Sequence, residues 1–104
     1  MTSAATAYRH VVLDDQGVPW IEGLNTKVVE LIAEVKAYGW SPEELAFQHP
    51  QISLAQVHSA LAYYWDHRSE LDADLSHREA QARRIEAEVG EHPMVRKLRA
   101  RKQA

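Results

Sequence analysis

Residues 41–67 read SPEELAFQHPQISLAQVHSALAYYWDH, and the fold turns on how this stretch divides. In Ser41-Pro42-Glu43-Glu44 a serine can cap a helix and a proline fits the first helical position, where its missing N–H would have no partner anyway. Glu44, three places on, completes the capping-box spacing. His49-Pro50 ends that helix, because the residue before a proline is pushed out of the helical region. Ser53-Leu54-Ala55-Gln56 is a second capping box, and Leu54, Val57, Leu61, Tyr64 and Trp65 continue it as an apolar stripe. Two helices and a tight turn have the outline of a helix-turn-helix. The same stretch holds no Lys or Arg and three acids, Glu43, Glu44 and Asp66, so its shape and its charge point in different directions.

Upstream, residues 25–39, NTKVVELIAEVKAYG, predict a helix with Asn25 or Thr26 as its cap and Val28, Leu31, Ile32 and Val35 on one face. Gly39 suits the left-handed conformation that closes a helix. Before it, YRHVVLDDQGVPWIEG (residues 8–23) predicts a β-hairpin: Val11, Val12 and Leu13 face Val18, Trp20 and Ile21 across the turn-forming DDQG. Pro19 cannot donate to a ladder, so its strand should lie at an edge. A lone hairpin is marginal in water, and pairing of that edge with a second copy is one expectation, hence a homodimer.

Downstream, the heptad spacing runs on through Arg68, Leu71, Leu75, Arg78, Ala82, Ile85 and Val89 until Gly90 and Pro93. One reading is an unbroken helix over residues 54–89, roughly 54 Å at 1.5 Å per residue. The other is a break near Ser76, where Ser-His-Arg-Glu is a third capping signal. A long helix with an apolar seam needs a mate or another protein to cover it. The expected fold is therefore mainly α: a hairpin and three-helix helix-turn-helix head over residues 1–70, then a charged helical arm and basic tail over 71–104.

The net charge of −3 conceals an asymmetry: residues 1–65 hold three Lys/Arg against seven acids, residues 66–104 nine against eight. The run 96–102, RKLRARK, carries five basic residues and no acid, a composition suited to nucleic acid or an acidic protein surface. With no cysteine there is neither a disulfide framework nor a thiolate metal site. The histidines at 10, 49, 58, 67, 77 and 92 are too scattered to read as a metal site. Asp66 and His67 are successive helical positions about 100° apart and make no dyad, and no nucleophile elbow, phosphate loop or carboxylate pair appears. Thus no enzyme, cofactor, metal or small-molecule substrate is expected. The absence of a secretion signal or apolar span points to a cytoplasmic protein without membrane contact.

If the second helix of the pair read DNA, its first turns would present Ser53, Ala55, Gln56, His58 and Ser59 to the major groove. Glutamine can bond adenine through two atoms. Phosphate neutralisation would have to come from Arg9, Lys27, Lys36 and the basic tail of a dimer. The aromatic residues Trp20, Tyr38, Trp40, Tyr63, Tyr64 and Trp65 read as core and interface, and three aromatics in succession at 63–65 cannot all face one core.

Gly17-Val18-Pro19-Trp20-Ile21-Glu22-Gly23, Thr26-Lys27-Val28, Tyr38-Gly39-Trp40-Ser41-Pro42-Glu43-Glu44-Leu45, His49-Pro50, Leu54-Ala55-Gln56-Val57 and Ala60-Leu61-Ala62-Tyr63-Tyr64-Trp65-Asp66-His67 together resemble the bacterial family called domain of unknown function 433. The resemblance covers about residues 8–75. Many members carry Gly-Thr-Arg where this chain has Gly23-Leu24-Asn25, which removes a positive charge. The resemblance implies a homeodomain-like or winged-helix-like fold. For many members it also implies a VapB-type antitoxin of a type II toxin–antitoxin pair, with a PIN-like nuclease as partner and operator DNA as a further ligand. An antitoxin arginine inserted among the metal-binding carboxylates of such a nuclease would pair with them. Arg96, Lys97, Arg99 and Arg101 are the candidates, with Met94 and Leu98 as apolar anchors and Leu71, Leu75 and Ile85 along the seam. The competing expectation is a helical dimerisation adaptor with no nucleic-acid role.

Overall fold

The structure is a computed structural model and describes residues 4–91 and Met94. Among these residues the chain is mainly helical, with a small antiparallel sheet at its start. The elements run β1 (Ala4–Ala5), β2 (Val11–Leu13), β3 (Pro19–Ile21), α1 (Val28–Tyr38), α2 (Pro42–Gln48), α3 (Leu54–Asp66) and α4 (Arg68–Glu91). The chain divides into two compact units, Met1–Asp72 and Ala73–Ala104.

The hairpin forms as its sequence dictates, with Val11 opposite Ile21, Val12 opposite Trp20 and Leu13 opposite Pro19. Its turn is closed by Asp14. One carboxylate oxygen accepts from the N–H groups of Gln16 at 2.8 Å and Val18 at 3.0 Å, and the other accepts from the Trp20 indole at 2.9 Å. Gly17 completes the turn at φ 79°, a conformation that suits glycine.

Both edges of the hairpin meet further segments of the same chain. β1 pairs with the free side of β2, Ala4 opposite Leu13 and Ala5 opposite Val12. On the Pro19 side the chain folds back on itself: Trp20 bridges to Lys27, and the Ile21 N–H donates to the Thr26 carbonyl at 2.9 Å. Pro19 lies in the edge strand β3, as its missing N–H requires.

β2 packs on α3 and β3 on α1, so the sheet closes one side of a three-helix core. The largest fully buried side chains are Val11 and Ile21 from the sheet, Val28, Val29, Leu31 and Ile32 from α1, Leu45 from α2 and Val57 from α3. The helix ends follow the sequence signals. Gly39 closes α1 at φ 68°, and its N–H donates to the Val35 carbonyl. Ser41 caps α2 by accepting from the Glu44 N–H, and α2 ends at Gln48, ahead of His49-Pro50. The α1 cap differs: Lys27 occupies it without a side-chain bond, so neither Asn25 nor Thr26 serves.

Two expectations for α3 change. Its inward face carries Val57, Ala60, Tyr63 and Tyr64, whereas Leu54 and Trp65 from the expected stripe are 40% and 62% exposed. Burial follows the small Ala60, which lets neighbouring helices approach, more than the larger apolar residues beside it. The helix also does not run unbroken from 54 to 89, nor does it break near Ser76. It breaks at His67, which leaves helical geometry at φ −124°, ψ 33°. There the His67 N–H is shared between the carbonyls of Tyr63 and Tyr64, while Nδ1 donates to the Tyr63 carbonyl at 2.9 Å. A side chain that bonds its own helix's last carbonyls terminates that helix as a cap does. α4 then continues through Ser76 without interruption.

Candidate partner-binding site

Gln56 was expected to read a base, but it is already occupied. Its side-chain oxygen accepts from the Ser53 N–H at 2.8 Å, while the Ser53 hydroxyl accepts from the Gln56 N–H at 3.1 Å. The capping box therefore uses the acceptor that a bidentate contact to adenine needs. His58 is exposed and Ser59 half-buried. Lys27 lies at the cap of α1 with its ammonium 5.1 Å from the Trp20 ring centre, a cation–π contact. Ser53, Gln56 and Lys27 thus each have a partner within their own fold.

The electrostatics of the first unit point the same way. Over residues 1–72 there are four Lys/Arg against ten Asp/Glu. Two of the four cations share one anion: Asp72 binds Lys36 at 2.8 Å and lies 3.5 Å from Arg68, and it also accepts from the Tyr64 hydroxyl at 2.7 Å. The Lys36 ammonium, helped by Tyr64, holds the Asp72 carboxyl below the usual carboxylate range. Asp72 in turn raises Lys36. Beside this knot, Ile32, Val35, Leu61, Tyr64 and Trp65 line a shallow groove of about 280 Å³, with the Arg68 guanidinium 5.3 Å from the Trp65 ring centre.

A second knot ties the amino-terminal segment to the end of α3. Tyr8 donates its hydroxyl to Asp66 and meets Tyr63 edge-on at 5.2 Å, while His67 stacks on Tyr63 at 4.0 Å. Asp66 and His67 thus bond different groups, the Tyr8 hydroxyl and the Tyr63 carbonyl. The bond to Asp66 raises the Tyr8 hydroxyl above its ordinary pKa. Among the described residues no group of three or more His, Cys, Asp or Glu is placed to hold a metal ion. Among the described residues no helix is long and apolar enough to cross a membrane.

The expected arm residues divide into three groups. Leu71 and Leu75 are 4% and 7% exposed. Ile85, Val89 and Met94 are 60%, 53% and 64% exposed. Arg96, Lys97, Leu98, Arg99 and Arg101 lie outside the described residues. Arg78, which interrupts the seam, turns its guanidinium to Asp74 at 2.8 Å. No spacing in the sequence signals the Lys36–Asp72–Tyr64 knot, because Lys36 and Tyr64 lie 36 and 8 residues from Asp72.

Residues 16–64 match the sequence model of the family described as protein of unknown function (DUF433), the family that the motif combination resembles. No curated protein and no solved structure matches the chain.

Proposed function

We propose that this protein is an antitoxin-like inhibitor whose carboxyl-terminal arm grips a PIN-like nuclease, with the hairpin and helices of residues 1–72 as its folded base. One observation carries the reading. On α4 the large apolar side chains Ile85 and Val89 stay more than half exposed in a segment whose other residues are mostly charged or small. Large apolar groups kept in water in such a segment are the usual anchors of a protein contact. The basic run 96–102 follows them in sequence and has the charge to meet the carboxylates of a nuclease metal centre.

Operator binding by a dimer is the weaker half of this reading. The occupied Ser53–Gln56 pair and the excess of acids over residues 1–72 leave phosphate contact to the basic run. The rival reading, a self-dimerising helical adaptor, draws on the same Ala82, Ile85 and Val89 spacing.

Co-expression with the nuclease encoded by the adjacent open reading frame tests the proposal. The full chain is expected to restore growth and a chain ending at Leu75 to fail. Full rescue by the shortened chain would overturn it. Absence of a nuclease neighbour, together with a stable dimer in sedimentation, would favour the adaptor.

A further inference from the structure

The apolar stripe on α4 has flanks of one sign. With Ala82 and Val89 at one seam position of the heptad and Ile85 at the other, the flanking positions hold Glu79 and Glu86 on one side and Gln81 and Glu88 on the other. At about 100° per residue these four lie roughly 70–90° to either side of the stripe's centre. Arg83 and Arg84 fall on the opposite half of the helix, too far round to offset the acids at the seam. Residues 79–89 are all exposed, and no ion pair is recorded for the acids of this stretch among the described residues.

We infer that this face of α4 docks into an apolar groove edged by lysine and arginine on another protein, and that it is not a self-pairing surface. In a parallel pair of copies, flanking positions of one helix meet the opposite flank of its mate, placing Gln81 beside Glu86 and Asp74, which Arg78 already holds, beside Glu79. In an antiparallel pair each flank meets its own copy, so Glu79 and Glu86 face each other. Neither arrangement brings a free cation to Glu79 and Glu86, since the seam cation Arg78 is already paired with Asp74, and in the antiparallel pair like charges set side by side oppose association. The seam is also about one and a half heptads long, short of the three to four that sustain a coiled coil. A short apolar ridge between two acidic edges fits a groove with the opposite charge.

Such grooves occur where proteins bind nucleic acid, since Lys and Arg there neutralise phosphates around apolar or aromatic stacking surfaces. This inference rests on the reading of the arm as a gripping element. It adds that α4 covers the partner's nucleic-acid groove through its acids, while the basic run 96–102 is left for an acidic site.

The test titrates the full chain with two labelled helical peptides that share one isoleucine–leucine seam, flanked in one by lysine and in the other by glutamate, and follows fluorescence anisotropy over a salt series. The lysine peptide is expected to bind about tenfold tighter at low salt, the factor that about three modest charge pairs give, with the gap closing as salt rises. The variant E79K/E86K/E88K, with helicity checked by circular dichroism, is expected to reverse the preference. Equal binding of the two peptides, preference for glutamate, no binding of either, or a dimer of the wild-type chain that Ile85→Asp abolishes would each overturn the inference. If E79K/E86K/E88K still neutralised the neighbouring nuclease fully, the charge assignment would fall and the antitoxin reading would stand.

Discussion

At the scale of single residues, Asp14 shows how much one carboxylate can fix. It accepts two backbone N–H groups and the Trp20 indole, and these bonds hold it below the ordinary carboxylate pKa, with Trp20 the largest cause. Asp72 is lowered in the same sense by Lys36 and Tyr64. A group whose folded pKa is depressed adds stability that is present above its unfolded pKa, near 4 for Asp, and lost as pH falls through the lower folded value. Acid unfolding followed by circular dichroism should therefore show a stability loss beginning below about pH 4. That loss should be smaller in Asp14→Asn and in Asp72→Asn, each already less stable at neutral pH. An unchanged acid limb in both variants would contradict the assignment. Leu45 is fully buried, and Leu45→Ala should cost about 2–5 kcal/mol in denaturant unfolding.

At the scale of elements, the caps were legible because each depends on neighbours in the sequence: Ser41-Pro42, Gly39, His49-Pro50 and the reciprocal Ser53–Gln56 pair all act over three or four residues. Ser53→Ala should cost about 1 kcal/mol and speed amide exchange in the first turn of α3, leaving α1 unchanged. Three features were not legible, and each depends on partners distant in sequence or on a competition that local spacing does not rank. β1 is two alanines with little strand preference, ordered by pairing with Val12 and Leu13. The end of α3 at His67 carries no Gly or Pro. It comes from an imidazole that bonds the Tyr63 carbonyl and stacks on the Tyr63 ring. The buried face of α3 lies beside the stripe of its largest apolar residues, which leaves Trp65 62% exposed.

At the scale of the whole molecule, the charge is divided: four Lys/Arg against ten Asp/Glu over residues 1–72, then eight against five over 73–104. The division was visible in the sequence, but its bearing on the α3 face was not, because that needed the positions of Gln56 and Lys27. A chain limited to residues 1–72 should not shift operator DNA even below physiological salt. Any shift by the full chain should weaken steeply as salt rises and vanish when Arg96, Lys97, Arg99, Arg101 and Lys102 are replaced by Gln. A specific, salt-insensitive complex of residues 1–72 with DNA would contradict this. The central claim is that the exposed side chains of α4 grip another protein. Its most direct measurement is calorimetric titration of the polypeptide encoded by the adjacent open reading frame with the full chain and with I85D/V89D. The wild type is expected to form a complex that the double variant weakens by about 100-fold or more, as two lost apolar anchors would. Equal affinity of both chains for that polypeptide would contradict it.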